Sequence, residues 1–83
     1  MTFFVYLIVS KNKGKKVSYV GYTKNLTNRI LLHNNGKGAK FTKGRTWKLM
    51  YYEKFLTKKE AMSREYYIKK NKNFRNLLKN KYK

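Results

Sequence analysis

The 83-residue sequence predicts an α+β fold in which helices cover a β-sheet. Two observations carry this prediction. The N-terminal part reads as two strands joined by a glycine-containing turn, and the C-terminal part has a helix-capping signal followed by apolar residues at helical spacing. The predicted order is β-hairpin, helix, strand, helix, helix. Aromatic residues make up 17% of the chain and proline is absent, which favours an ordered globule, so we expect a single domain over residues 1–83.

The first element is a β-hairpin. Residues 3–9 are apolar at both parities, as in a central strand that is covered on both faces. A polar turn containing Lys13 and Gly14 follows, and residues 17–22 are again rich in β-branched and aromatic side chains. These features are typical of two strands that pair through a tight turn.

If the hairpin is symmetric about Lys13 and Gly14, it brings two tyrosines together. Tyr6 then lies opposite Gly21, and Tyr19 becomes its diagonal neighbour on the same face of the sheet. Because glycine has no side chain, we expect Gly21 to leave room beside Tyr6 for a ligand.

The middle of the chain predicts one helix and a basic loop. Asn25 can cap a helix over residues 26–34, which Asn35 and Gly36 would end. By helical spacing, one side of this helix carries Leu26, Arg29, Ile30 and His33. A loop over residues 36–46 follows. Four of its basic side chains are well placed to follow a phosphate backbone, namely Lys37, Lys40, Lys43 and Arg45.

The remaining elements are a third strand and two helices. Residues 47–55 alternate, with the large apolar side chains of positions 47, 49, 51 and 55 at one parity. The segment from Thr57 to Glu60 is a capping box, which begins a helix that continues to Lys70. One face of this helix carries Ala61, Glu65 and Ile68. Asn73 can cap a final helix, whose inward-facing residues are Phe74, Leu77 and Leu78.

The positive charge of the chain indicates a polyanionic partner. There are 22 Lys and Arg residues against three acids, which gives a formal net charge of +19. A compact domain tolerates such self-repulsion when a polyanion neutralises it, so we expect nucleic acid. A lysine-rich proteome would also raise the lysine content. An anionic membrane surface would instead favour one long basic amphipathic helix, so we expect no membrane partner.

The sequence also excludes several kinds of site. There is no cysteine and no His/Cys cluster, so neither a disulfide framework nor a structural zinc site is available. The apolar N-terminal run is too short to span a bilayer, and it has neither a basic leader nor a small-residue cleavage site. We therefore expect an intracellular, cytoplasmic protein, and no feature implies an obligate protein partner.

Three titratable side chains interrupt the apolar pattern of the helices, namely Arg29, His33 and Glu65. A charge aimed at the edge of a core is costly if it is unpaired, and a common cleft shared with Tyr6 and Tyr19 would accommodate all three. In such a cleft an arginine holds a phosphate, and a lone carboxylate holds Mg²⁺ (or Mn²⁺) together with waters and phosphate oxygens. These groups suffice for phosphodiester hydrolysis.

Each of these residues also has a plainer interpretation when it is taken singly. Glu65 can pair with Lys69 one helical turn on. His33 can be a histidine at the boundary of the core, Arg29 can be a surface arginine, and the two tyrosines can be ordinary strand residues. The residues alone leave these alternatives open.

One ordered set of residues runs through nearly the whole chain. It begins with the tripeptides Phe4-Val5-Tyr6 and Tyr19-Val20-Gly21, continues with Arg29 and His33 one helical turn apart, and ends with Glu65 on a later helix. This set resembles the GIY-YIG nuclease family. Within that family the chain is most similar to the small standalone members, which have close counterparts of the segment from His33 to Arg45 and of Glu60-Ala61-Met62.

The resemblance implies a three-stranded antiparallel sheet flanked by helices, and a one-metal, Mg²⁺-dependent cut of a phosphodiester bond. Tyr6 and Tyr19 match the two motif tyrosines, one of which acts as general base or orients the attacking water. Arg29 matches the arginine that stabilises the pentavalent phosphate, His33 the His-or-Tyr position one turn later, and Glu65 the metal ligand. A tyrosine of ordinary pKa needs about 4 kcal/mol of help to act as a base near neutral pH. The sequence does not say which tyrosine receives it.

The sequence therefore predicts a Mg²⁺-dependent endonuclease that acts on nucleic acid, DNA in the first instance, with little sequence specificity. Its affinity should come mostly from Lys and Arg contacts to phosphates. Two alternatives stay open. A non-catalytic nucleic-acid-binding module on the same fold would need no metal and would tie Glu65 to Lys69, so that it does not face Tyr6 and Tyr19. A ribonucleoprotein component would dock its basic loop onto RNA.

Overall fold

The computed structural model describes residues 2–82 and has the predicted α+β architecture, in the order β-β-α-β-α-α. The strands are β1 (Phe3–Asn12), β2 (Lys15–Thr23) and β3 (Lys48–Phe55). The helices are α1 (Leu26–Asn34), α2 (Lys58–Lys70) and α3 (Lys72–Lys79). All strand pairs are antiparallel and the sheet order is β2-β1-β3, so β2 is an edge strand. Within residues 2–82, every helix is too short or too polar to cross a membrane.

The central strand β1 is apolar at both parities because helices cover both of its faces. On one face it packs against α2 and α3, and the buried residues there include Val5, Leu7, Val9, Ala61, Ile68 and Leu78. On the other face it packs against α1, in a smaller cluster of Tyr6, Ile8 and Trp47 with Leu26 and Ile30. Each large apolar side chain buried in this way stabilises the fold by about 1.5–3 kcal/mol.

The hairpin has the predicted register. Its turn residues Lys13 and Gly14 both have positive φ, 53° and 81°, which is the geometry of a two-residue type I′ turn. Tyr6 therefore lies opposite Gly21, and Tyr19 is its diagonal neighbour on the same face.

A β-bulge in β3 changes which face its side chains occupy. Leu7 pairs with Tyr51 and the next residue, Ile8, pairs with Leu49, which leaves Met50 as an extra residue. One extra residue moves the following side chains to the opposite face. The residues at positions 47 and 49 consequently pack on the α1 side, whereas those at 51 and 55 pack on the side of α2 and α3.

The caps of the first two helices are as predicted, and the cap of the third is not. Asn25 and Thr57 each accept a hydrogen bond from the backbone N–H three residues on, at 3.0 Å and 3.2 Å. For α3 the cap is Asn71, which accepts from the N–H of Phe74 at 3.0 Å, so the prediction of Asn73 was wrong. Asn71 also ends α2, and this direct junction starts α3 two residues earlier than the sequence suggested.

The predicted inward face of α3 is confirmed for two of its three residues. Phe74 and Leu78 pack against the core, whereas Leu77 is 65% exposed. Phe74 and Leu78 are four residues apart and lie on one face, and Leu77 is rotated from Leu78 by roughly 100°.

An ion-pair network that the sequence analysis did not anticipate connects β3 to α2. Arg64 donates to both oxygens of Glu53, from Nε to Oε1 at 2.8 Å and from Nη2 to Oε2 at 2.9 Å. The hydroxyl of Tyr51 donates to the same carboxylate. The network holds α2, the helix that carries Glu65, against the sheet.

We expect Glu53→Gln to lower the free energy of unfolding by about 1–2 kcal/mol, because Arg64 loses its charged acceptor in a partly exposed pair. Burial alone would raise the pKa of Glu53, but hydrogen bonds from Arg64 and Tyr51 outweigh it and hold the pKa below its ordinary value. The stabilisation is therefore complete above the unfolded-chain pKa and declines as the pH falls through the lower folded pKa.

Urea unfolding of wild type and variant at neutral and acidic pH measures both effects of Glu53→Gln. The matched control is Glu60→Gln, the same change at an exposed position of α2. Equal stability of the two variants at neutral pH would contradict the role given to the network.

Candidate active site

A cleft of about 340 Å³ lies at the β2 edge of the sheet, between α1 and α2. It is lined by Tyr6, Tyr19, Gly21, Tyr22, Thr23, Arg29 and Glu65. Because α1 and α2 cover opposite faces of the sheet, Arg29 and Glu65 reach the cleft from the two sides of the edge strand. Four of the five residues predicted to carry chemistry therefore line one cleft.

The fifth residue, His33, lies behind the cleft rather than in it, which corrects the expectation that all five would line it. Its side chain is fully buried. Its Nε2 is 2.7 Å from the hydroxyl oxygen of Tyr6, and its ring centroid is 5.0 Å from that of Tyr19. The helical pattern placed His33 on the correct side of α1. The core cluster around Tyr6 then encloses it one turn beyond Arg29.

The protonation states of Tyr6 and His33 follow from their burial. Burial raises the pKa of the Tyr6 hydroxyl, and Arg29, through its hydrogen-bonding group and then its positive charge, opposes only part of this effect. Burial lowers the pKa of His33, and the charge of Arg29 acts in the same direction. At neutral pH, Tyr6 is therefore protonated and His33 is neutral. A neutral imidazole in hydrogen-bond contact with a tyrosine hydroxyl can receive its proton.

Arg29 has no acidic partner within residues 2–82. Its Nε is buried without a hydrogen-bond partner, and the ion pairs of this part of the chain do not include it. A cleft arginine in this state has its hydrogen-bonding capacity left for an anionic ligand.

Glu65 lines the cleft and also forms the ion pair that its plainer interpretation predicted. Its Oε2 is 3.6 Å from Nζ of Lys69, one turn along α2. The lysine side chain is 50% exposed, and an ion pair this exposed contributes at most about 1 kcal/mol. The pair is therefore weak enough for a cation or a substrate to replace it.

The donors in the cleft fit one kind of metal site. Residues 2–82 contain no group of three or more His, Cys, Asp or Glu side chains that could hold a metal ion, so a preformed structural site does not fit. Mg²⁺ in phosphoryl-transfer sites is bound through one or two carboxylates, with waters and substrate phosphate completing the shell. Glu65, a half-buried carboxylate beside an open cleft, fits this second arrangement.

Gly21 makes room for Tyr6 itself and not for a ligand, which corrects the expectation from sequence. A Cβ atom at position 21 would lie 2.5 Å from the hydroxyl oxygen of Tyr6 and 2.8 Å from Cζ. The ring of Tyr6 thus lies directly against the backbone of β2, and only glycine permits this approach.

The basic loop between α1 and β3 meets the cleft through one aromatic residue. Phe41 is 54% exposed and stacks on Tyr19, with ring centroids 6.2 Å apart and an angle of 21° between the rings. The side chains predicted to contact phosphates, Lys37, Lys40, Lys43 and Arg45, lie on this loop but not in the lining of the cleft. Lys43 and Arg45 border a separate depression at the end of α1.

Thr42 is a buried polar residue that the sequence analysis missed. It is fully buried in an otherwise largely exposed loop, and its Oγ1 is 2.9 Å from Nδ1 of His33. No periodicity marks a buried position within a loop, so the sequence carried no signal for this contact.

Comparison with known proteins agrees with the geometry. The family described as the GIY-YIG catalytic domain matches residues 2–83. A UPF0213 protein of Clostridium perfringens is 53% identical over 68 residues, which cover 81% of this chain and 70% of the relative. A UPF0213 protein of Oceanobacillus iheyensis is 41% identical over 75 residues, which cover 89% and 84%.

A solved structure is also similar to this chain. It is the solution NMR structure of a UPF0213 protein from Bacillus halodurans, with a TM-score of 0.51 and 38% sequence identity. The similarity covers 94% of this chain and 82% of that one. The names of these relatives state no activity, so the functional inference depends on the family and on the cleft.

Proposed function

We propose that this chain, which belongs to the GIY-YIG catalytic-domain family, is a Mg²⁺-dependent endonuclease that hydrolyses phosphodiester bonds of nucleic acid, DNA in the first instance. The observation that carries the proposal is the single cleft shared by Tyr6, Tyr19, Arg29 and Glu65. In this proposal residues 1–83 act as one catalytic domain.

Arg29 binds the scissile phosphate. Its guanidinium faces the cleft without an acidic partner in residues 2–82. A bound phosphate would accept the hydrogen bond that the buried Nε does not otherwise make. Two parallel hydrogen bonds to phosphate oxygens would orient the group. The fixed positive charge then stabilises the negative charge that develops as the attacking oxygen approaches phosphorus.

Glu65 is the residue that would hold the metal ion. When it is bound, Mg²⁺ or Mn²⁺ neutralises charge on the phosphate and on the departing oxygen. Before metal and substrate bind, the carboxylate is held by Lys69. That weak pair keeps a lone acid from remaining unpaired in the cleft.

Tyr6 is the tyrosine that takes the proton of the attacking water, because its hydroxyl contacts His33. As the bond between water oxygen and phosphorus forms, a water proton moves to the Tyr6 oxygen and the proton of Tyr6 moves to Nε2 of His33. The bond from phosphorus to the leaving oxygen breaks, and that oxygen takes a proton from solvent. The imidazole is the net proton acceptor, so the cost of a separate tyrosinate is avoided.

The basic loop supplies affinity without reading bases. Lys37, Lys40, Lys43 and Arg45 would contact backbone phosphates, and such contacts carry no sequence information. The exposed ring of Phe41 lies between this loop and Tyr19. It can contact a base next to the cleft irrespective of the sequence.

A second candidate function is a binding module without turnover. The contact between Glu65 and Lys69 favours it, because that contact was expected of a non-catalytic domain. The same expectation kept Glu65 away from Tyr6 and Tyr19, whereas Glu65 lines one cleft with them. The two functions differ in their need for metal. Only the endonuclease requires Mg²⁺ to change the substrate.

The proposal is tested by incubating single-stranded DNA, double-stranded DNA and RNA of one sequence with the protein at low salt. We expect cleavage in Mg²⁺ or Mn²⁺ and none in EDTA, and a loss of about 10²–10³-fold in Arg29→Ala. Arg45→Ala removes the same charge outside the cleft and should weaken binding more than turnover. Tight binding with intact substrate under all conditions would favour the binding module.

A further inference from the structure

The contacts of His33 continue away from the cleft, through the loop. Thr42 lies on the far side of the imidazole from Tyr6, with Oγ1 2.9 Å from Nδ1. The same Oγ1 is 3.0 Å from the carbonyl oxygen of Ala39. His33 and Thr42 are both fully buried, so no solvent is available to replace either contact.

The donors and acceptors around His33 favour one direction for these contacts. The carbonyl of Ala39 can only accept, and it lies 3.0 Å from Oγ1 of Thr42 and 3.2 Å from the backbone N of the same residue, so we assign the single hydroxyl proton of Thr42 to it. With the hydroxyl proton assigned in this way, Nδ1–H of His33 is the donor in the contact with Thr42. On a neutral imidazole the other nitrogen, Nε2, is left unprotonated, and the hydroxyl of Tyr6 donates to it at 2.7 Å.

We propose that Thr42 is a positioning residue that fixes the tautomer of His33, with the proton on Nδ1 and the acceptor Nε2 facing Tyr6. The effect of Thr42 on catalysis rests on the proposed function, but its effect on the tautomer of His33 does not. In the other tautomer, Nε2–H would donate to the Tyr6 oxygen, and the proton of Tyr6 would have no acceptor. Thr42 would thus decide whether the pair of Tyr6 and His33 can move a proton.

The loop is built to hold Thr42 in this position. The backbone carbonyl of Thr42 accepts from Nε1 of the buried Trp47 at 2.9 Å. The side chain of Asn34 donates to the carbonyl of Trp47 and accepts from its N–H. The end of α1, the loop and the start of β3 are thereby connected around the histidine.

Gly38 lets the loop backbone approach the imidazole closely. A Cβ atom at this position would overlap the Nδ1 edge of the His33 ring. The loop backbone therefore lies directly against the ring on the side that contacts Thr42.

Nuclear magnetic resonance of the imidazole nitrogens tests the inference without any activity. His33 is the only histidine in the chain, so its ¹⁵N signals need no assignment by mutation. We expect the wild-type protein above the pKa of His33 to have a protonated Nδ1 and an unprotonated Nε2. A wild-type protein with the proton on Nε2 overturns the inference, whatever the variants do.

The matched variants are Thr42→Val, which keeps the shape and removes the acceptor, and Thr42→Ser, which keeps the hydroxyl. Thr42→Val should move the proton of His33 towards Nε2 and lower kcat by about 10–100-fold with little change in KM, as is typical when the partner that orients a functional histidine is removed. Thr42→Ser should retain the wild-type tautomer and most of the rate.

The outcomes separate this inference from the proposed function. If wild type cleaves no nucleic acid but Thr42→Val changes the tautomer, the positioning role stands and the nuclease assignment fails. If Thr42→Val keeps the proton on Nδ1, the positioning role is wrong even in an active enzyme. Should Thr42→Val fail to fold, the wild-type tautomer and the rate of Thr42→Ser still decide the matter.

Discussion

Replacing Glu65 with glutamine should reduce cleavage by about 10³-fold. In the proposed mechanism a metal ion held by Glu65 supplies several kcal/mol of charge stabilisation in the transition state, and each 1.4 kcal/mol or so corresponds to a factor of ten in rate. Glutamine keeps the size of the side chain but gives up the charge that holds a divalent cation. The fold should be unaffected, because the pair with Lys69 is weak.

The change in DNA affinity caused by Glu65→Gln separates a metal-binding role of Glu65 from a DNA-binding role. In EDTA the wild-type carboxylate repels the phosphates, so the variant should bind DNA slightly more tightly. Glu60→Gln removes the same charge from an exposed position of α2 and should leave the cleavage rate unchanged. Fluorescence anisotropy in EDTA and steady-state cleavage in Mg²⁺ measure the two quantities. If Glu65→Gln keeps a tenth or more of the rate, to order of magnitude, the metal is held elsewhere.

Tyr6→Phe should lower kcat by about 10²–10⁴-fold, the range attributed to general acid–base groups. The substitution removes the oxygen that, in the proposed mechanism, passes the water proton to His33, and it keeps the ring that packs against Gly21. Tyr19→Phe is the matched control on the same face. Its ring contacts with His33 and Phe41 survive, so its loss should be smaller. A greater loss in Tyr19→Phe would transfer the role of base to Tyr19.

The pH dependence of the rate gives a second check on Tyr6. Because His33 must be neutral to receive the proton, the wild-type rate should fall as the pH drops through the pKa of His33, which burial places below its ordinary value of 6.5. Protonated His33 has no acceptor for the proton of Tyr6. In Tyr6→Phe the residual rate should lack this acid limb. An unchanged limb in the variant would mean that another group controls it.

Local sequence signals were sufficient for most of the fold. The two caps at Asn25 and Thr57 and the hairpin turn at Lys13 and Gly14 depend on neighbouring residues, and all were confirmed. The register of Tyr6 against Gly21 followed from the position of the turn alone.

Features that depend on packing between distant segments could not be predicted. The bulge at Met50 inserts one residue without changing the alternation of the sequence. Asn71 and Asn73 are equally good caps by residue type, and the direct junction of α2 and α3 decided between them. The pair of Glu53 and Arg64 joins residues with no common periodicity.

In the candidate site, too, the sequence predicted the features that depend on local spacing and not those that depend on packing. Helical spacing placed Arg29 and His33 on one side of α1, and the interrupted apolar stripe of α2 indicated Glu65. The depth of each residue depends on how the elements pack, so sequence could not tell that His33 lies behind Tyr6 while Arg29 lines the cleft. Thr42 lies in a loop that has no periodic pattern, and only the folded loop brings it to His33.

The central claim is that the cleft carries out the chemistry while the positive surface only holds the strand. A single-turnover experiment tests it most directly. Wild type and Glu65→Gln are each saturated with labelled DNA in EDTA, excess Mg²⁺ is added, and the first turnover is followed. We predict that bound DNA is cut by wild type and stays intact with Glu65→Gln at equal occupancy. Equal cutting by both proteins, or no cutting by wild type with its DNA fully bound, would contradict the claim.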